Sequence, residues 1–292
     1  MESAVQHKIS PPAQLMIALG WYFFLFGVSA MGNESDTKGM FDDGKYVTIM
    51  KMAQGLIVFL VFIAPVLVFS LMARSEKIGF LNIHKAPSLI PFITALTICV
   101  IALPAVGGMQ QWNAALSLPE SMSGLEQWMK AKEEAADEIT KAFFVDKSTK
   151  GLVINLVVIA FMAALSEEIF FRGLLQRLFQ DNKMNLHLAV WLTAILFSAF
   201  HLQFFGFLPR VFLGAILGYL YAFTGNLWVS ITAHFANNAF AVIMSHVYDQ
   251  AVDTTLPGEM EGQVSLPLTL LSIVLVGGQL WFIASYKSKV KS

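Results

Sequence analysis

Charge is scarce in this sequence. Lysine, arginine, aspartate and glutamate make up 13% of its 292 residues, whereas 56% are hydrophobic and the mean hydropathy is +0.64. That composition excludes an ordinary water-soluble globular domain. Cysteine is scarcer still. Cys99 stands alone in an apolar run, which rules out an intrachain disulfide and any multi-cysteine metal site, so it is read as inert packing. No internal repeat, low-complexity tract or separate soluble domain is visible, and there is no HExxH signature of a zinc protease. The expectation is therefore all-α: a polytopic membrane helical bundle, treated over residues 1–292 as a single membrane domain. Its surroundings are the lipid bilayer, and no nucleic-acid partner is expected.

Apolar segments fall at residues 13–31, 47–73, 89–106, 152–178, 186–205, 208–223, 227–247 and 266–286, which predicts about eight transmembrane helices. The loop charges alternate. Residues 74–85 and 172–183 each carry three basic groups against one acid, and Lys287, Lys289 and Lys291 crowd the last stretch. Residues 32–46 carry four acids against two lysines, residues 107–150 seven against five, and residues 248–263 four acids with no lysine or arginine. Because basic residues are retained on the cytoplasmic side, both termini are expected there. Only residues 203–210, with the lone Arg210, run against the pattern. A competing topology removes the first segment as a signal peptide cleaved after Val28, Ser29 and Ala30.

The stretch 107–150 is the one sizeable extramembrane piece and is expected to be extracytoplasmic. Within it, residues 125–145 are rich in helix formers, and Leu125, Trp128, Met129, Ala136, Ile139 and Phe143 recur at the spacing of an apolar stripe. An interfacial amphipathic helix is expected, either as a plain connector or as a lid.

Against this apolar background the sequence Ser166 to Arg172, SEEIFFR, stands out. An ionisable group at mid-bilayer costs about 2.5 to 3.5 kcal/mol on insertion scales, so adjacent acids in a membrane helix need a polar cavity or a partner. Glu168 and Arg172 lie four apart with the acid first, the favourable order for an ion pair. Glu167 points about 100° away and is left to address another surface. Two more pairs follow at four-residue spacing, Phe197 with His201 and His234 with Asn238. Membrane helices also use Glu, His and Asn as interhelical hydrogen-bond glue. The conjunction of two acids, an arginine, two histidines and an asparagine in three segments favours catalysis. Glu167 and His201 are suited to holding and deprotonating a water, and His234 and Asn238 to donating to an oxyanion. Phe197 is assigned a steric role beside the imidazole. Gln203 and Arg210 are unassigned candidates for the cavity wall.

In order, these residues form EExxxR (Glu167, Glu168, Arg172), FxxxH (Phe197, His201) and HxxxN (His234, Asn238). The set resembles the CAAX prenyl endopeptidase family, also called the CPBP or Abi intramembrane proteases, over residues 151–246. The resemblance implies eight helices, a conical cavity open to the cytoplasm and a catalytic core at roughly 151–247. It also implies Glu167 and His201 as water activators, His234 and Asn238 as the oxyanion hole, and Glu168 and Arg172 in support. The expected partner is a membrane-associated protein or peptide, either a lipidated or membrane-bound peptide cut near its C-terminus or another membrane-proximal substrate.

No cofactor is expected. Zinc held by Glu167, His201 and His234 is the competing arrangement, although the three sit in different segments. Ser198 and Ser230 lie near the histidines without an acid to complete a triad, and are read as backbone-bonding serines. Two other functions use the same residues: a proton- or ion-coupled transporter, which would be favoured by repeat symmetry, and a catalytically silent scaffold or immunity protein, which would be favoured by a missing motif residue.

Overall fold

The computed structural model describes residues 10–31, 44–72, 81, 83, 86–248 and 264–291. The loop charges of residues 32–43, 73–80 and 249–263, the side chains of the three C-terminal lysines and those of the Val28-Ser29-Ala30 site lie outside the described residues. Nine helices are described: α1 (Pro11–Met31), α2 (Gly44–Met72), α3 (Leu89–Ala114), α4 (Ser123–Phe143), α5 (Thr149–Asp181), α6 (Leu186–Phe200), α7 (Phe207–Thr224), α8 (Leu227–Tyr248) and α9 (Leu266–Lys291). No strand occurs among the described residues. In hydrocarbon every backbone N–H and C=O must be paired within the chain, and a helix does this residue by residue. Six of the helices are long and apolar enough to cross a membrane, and two shorter apolar ones, Pro12–Gly27 and Leu186–Phe200, bring the number to the eight expected. The chain is an integral, multi-pass membrane protein.

Helices α3, α6 and α5 depart from the sequence reading in ways that bear on the site. Helix α3 runs on to Ala114, because Asn113 is not a loop residue but a clamp: its Nδ2 donates to the Phe204 carbonyl at 2.9 Å and its Oδ1 accepts from the Leu208 amide at 2.8 Å. Residues 107–114 thus belong to the bundle. Helix α6 stops at Phe200 rather than 205, where Leu202 takes a left-handed conformation (φ 55°) that turns the chain back into α7. Helix α5 is continuous but widens into π-type turns at Leu156–Met162 and Ile169–Gln176, on either side of Glu167 and Glu168. Such turns rotate side chains away from regular helical register and recur at functional sites.

Pro104 lies inside α3 and cannot donate to the Val100 carbonyl. Beside it α9 supplies Ser272, which accepts from the Ala105 amide and donates to the Ile101 carbonyl. The chain around Tyr22 of α1 is equally built in. Its ring is 1% exposed, contacts Phe171 and Phe200, and its hydroxyl donates to the Leu196 carbonyl at 2.7 Å.

Glycine decides how α5, α6 and α7 meet. Gly214 and Gly218 lie one turn apart on α7, where their missing side chains let α6 come close: a Cβ at Gly218 would stand 2.9 Å from Val190 and one at Gly214 3.2 Å from Ala194. The bared carbonyls are then taken up from α5. Arg172 donates to the Gly214 oxygen at 2.9 Å and Gln176 to the Gly218 oxygen at 3.0 Å.

Candidate active site

Glu168 and Arg172 form the ion pair that their spacing predicts. Both side chains are fully buried, and the guanidinium Nη1 donates to Glu168 Oε1 at 2.6 Å. The guanidinium also lies over the Phe197 ring, 4.7 Å from its centre. A partner the sequence does not reveal completes the group. His234, brought in on α8, approaches the same Oε1 with Nδ1 at 2.8 Å. A carboxylate paired with a guanidinium accepts, so Nδ1 carries the proton and Nε2 turns to the other side. There it lies 3.8 Å from Glu167 Oε2.

His201 is oriented in the same manner by a different acceptor. Its Nδ1 donates to the Phe197 carbonyl at 2.8 Å, which leaves Nε2 as the free acceptor of the neutral ring. Phe197 itself stands between the histidines, 5.0 Å from the His201 ring and 5.8 Å from that of His234. It packs edge-on against both rings. Asn238 is held loosely. Its Nδ2 reaches the Ile159 carbonyl only at 3.5 Å, at the outer limit of a hydrogen bond, and its Oδ1 accepts from Asn237 at 3.3 Å.

Glu167, His201, His234 and Asn238 all line one cavity of about 200 Å³. The remaining walls come from α2 (Gln54, Gly55, Val58), from the first half of α5 and from the last turns of α4. Glu167 and His201 share this cavity, in which Glu167 also lies 3.8 Å from the His234 ring. The donor role read for His234 also acquires a condition. With Nδ1 committed to Glu168, its Nε2 donates only from the doubly protonated ring.

The other sequence candidates fall outside this cavity. Ser198 donates to the Phe207 carbonyl at 2.8 Å and Ser230 to the Leu227 carbonyl at 3.0 Å, so both are backbone-bonding serines. The Cys99 thiol is bonded to the Ala95 and Ala233 carbonyls. Arg210 donates to the Gln203 carbonyl and side chain at 3.1 and 2.9 Å, tying off the turn between α6 and α7. Arg210 also borders a second, smaller cavity of about 30 Å³ behind His234. One residue the sequence reading passed over is Lys51. It is buried in α2 and donates to the Phe143 carbonyl at the end of α4, which also receives Asn155 at 3.0 Å. A lone lysine inside the apolar run 47–73 is the signal that marks it.

Comparison with known proteins bears on the same stretch. Residues 149–240 match the family described as type II CAAX prenyl endopeptidase Rce1-like. The resemblance carried by the three motifs is borne out there. These residues contain all of α5, α6 and α7 and the part of α8 that bears His234 and Asn238. The chain is also similar to the uncharacterized protein YpbD of Bacillus subtilis (strain 168), 31% identical over 105 residues. That stretch is 35% of this chain and 49% of the relative, so the chain spans about half the length of the curated relative it matches. No solved structure matches.

Proposed function

We propose that the chain is an intramembrane endopeptidase that hydrolyses a peptide bond of a membrane-associated substrate, with residues 151–247 as its catalytic core. The observation that carries this reading is the meeting of Glu167, His201, His234 and Asn238 from three helices on one cavity, within the Rce1-like stretch. A water held between Glu167 and the lone pair of His201 Nε2 gives its proton to the Glu167 carboxylate as it attacks the scissile carbonyl. Asn238 exchanges its long bond to Ile159 for the developing oxyanion, joined by His234 when its ring is doubly protonated. Glu167 then returns the proton to the leaving amine. Glu168, Arg172 and the Gly214 carbonyl fix the His234 ring.

No step requires a cofactor. Among the described residues no three His, Cys, Asp or Glu side chains are grouped as metal ligands, and His201 is held apart from the Glu167–His234 approach by its bond to Phe197. A carrier reading would need polar groups continuing across the bundle. Beyond Glu168, the buried polar side chains of Arg172 and Gln176 are committed to the Gly214 and Gly218 carbonyls among the buried apolar Phe170, Phe171, Leu174 and Leu175, which favours a closed catalytic pocket. The test is hydrolysis of a membrane-anchored reporter peptide by the purified protein in lipid. Cleavage that Glu167→Gln removes supports the proposal; a parent protein that cuts nothing across an apolar peptide library argues for the silent or carrier readings.

A further inference from the structure

The resemblance implies a cavity open to the cytoplasm, while the loop charges place residues 107–150 outside. The geometry does not allow both. Helix α4 lies within that stretch, and its last turns form a wall of the cavity through Ile139, Thr140, Phe143 and Phe144. The walls supplied by α2 and α5 come from the halves of those helices that run toward α4: Gln54 and Val58 follow the start of α2, and Val158 and Ile159 follow the start of α5. Toward the other end of the bundle, the turns of α5 after Glu168 are packed shut by fully buried aromatic and aliphatic side chains and by the Arg172 bond to Gly214.

Helix α4 is no loose flap over this cavity. Its final carbonyl, Phe143, receives Lys51 of α2 and Asn155 of α5. Four residues later Lys147 donates to the Ser245 carbonyl near the end of α8 at 2.7 Å. The starts of α2 and α5 and the end of α8 therefore share one end of the bundle with α4. In the sequence the acid-rich stretches 32–46, 107–150 and 248–263 adjoin the start of α2, the start of α5 and the end of α8, whereas the basic stretches 74–85 and 172–183 adjoin the opposite ends of α2 and α5.

We infer that the site is reached from the extracytoplasmic face, and that its substrate is a peptide segment at the outer leaflet presenting an apolar side chain to the wall of Val58, Val158, Ile159, Phe143 and Phe144. A lipidated C-terminus confined to the cytoplasmic leaflet is the wrong class of substrate. That a peptide is cut there rests on the proteolytic reading; the sidedness rests on packing and charge alone.

The experiment reads the two separately. Lys130→Cys and Glu138→Cys, both on exposed positions of α4, and Asp181→Cys, exposed at the end of α5, are made in the full chain, with the parent and its half-buried Cys99 as background. In intact cells a membrane-impermeant maleimide is expected to label the α4 positions at least about tenfold faster than Asp181→Cys, which labels only after permeabilisation. The same cells express one apolar reporter peptide anchored on the outer face and its counterpart anchored on the inner face, and the outer one is expected to be cut. Labelling of α4 only after permeabilisation overturns the inference, as does cleavage of the inner reporter alone. External labelling of α4 with neither reporter cut supports the sidedness and defeats the proteolytic reading instead.

Discussion

His234 donates a hydrogen bond from Nδ1 to Glu168 at 2.8 Å and so presents Nε2 to Glu167. One carboxylate thereby sets which nitrogen of the ring faces the cavity, and the other carboxylate is the group that ring faces. Adjacent acids in sequence acquire different tasks because α5 meets α7 and α8 on different sides: Glu168 is enclosed between Arg172 and His234, whereas Glu167 lines the cavity. In an apolar interior, a hydrogen bond to an ionised partner is the strong kind, and it orients the ring more firmly than packing alone.

Arg172→Ala is expected to be the most damaging single change in this group. It leaves the buried Glu168 without its guanidinium and the Gly214 carbonyl without its donor, at a cost of about 3 to 5 kcal/mol for breaking a buried pair. Thermal unfolding in lipid bicelles measures it. Arg172→Met combined with Glu168→Gln should recover a substantial part of the loss, since no unpaired charge remains. Equal stability of Arg172→Ala and the parent would show that the pair does not hold the bundle.

Glu167→Gln should behave in the opposite way. The residue contributes to no buried ion pair closer than 3.8 Å, so the folded protein and its unfolding temperature should persist while hydrolysis falls by about 10² to 10⁴-fold, the range of a general base. Retained activity would remove Glu167 from the mechanism.

Much of this arrangement is legible in the sequence, and for identifiable reasons. Transmembrane helices follow from apolar length, so all eight segments appear, and the stripe of residues 125–145 does become α4 over Ser123–Phe143. The Glu168 to Arg172 pair is local, and four-residue spacing within one helix is enough to define it. What the sequence hides is contact between helices. Spacing along α8 puts His234 and Asn238 on one face, but only the packing of α8 against α5 shows which carboxylate that face meets. The clamp by Asn113 and the tether of Lys51 to Phe143 are equally hidden, because each joins positions about 90 residues apart.

The start of α5 supplies a dependence on pH outside the membrane. Hydrogen bonds from the Ser148 side chain and amide hold the Asp146 carboxyl below the usual carboxylate range. A group whose pKa is lower in the folded state stabilises it above the unfolded value, about 3.9 for aspartate, and loses that contribution as pH falls through the folded value. Asp146→Asn should therefore unfold at a lower temperature than the parent at pH 7, and the gap should close below about pH 4. A gap that is constant with pH would assign the difference to amide geometry rather than charge.

Metal content separates the two forms of chemistry open to these side chains. If water is activated by Glu167 and His201 alone, purified protein should hydrolyse the reporter at an unchanged rate after chelation, and elemental analysis should find well under one zinc per chain. One zinc per chain, removed together with activity and restored with it, would instead assign Glu167, His201 and His234 as ligands and require them to move together from the arrangement seen here.

Asn238→Ala tests the step in which charge builds up. In the resting protein its amide spends its hydrogen bond on the Ile159 carbonyl at 3.5 Å, so its removal costs the folded state little. In the transition state the same amide would face an oxyanion, and a donor of that kind is worth about 10² to 10³-fold in kcat. Because the bond strengthens only as the carbonyl oxygen becomes charged, KM should stay near the parent value while kcat falls. Asn238→Asp should be at least as inactive, since it replaces the donor with an acceptor and adds a negative charge beside the developing one. A rise in KM with kcat unchanged would move Asn238 from the oxyanion to the binding of the substrate chain, and the mechanism would then need its second donor from His234 alone.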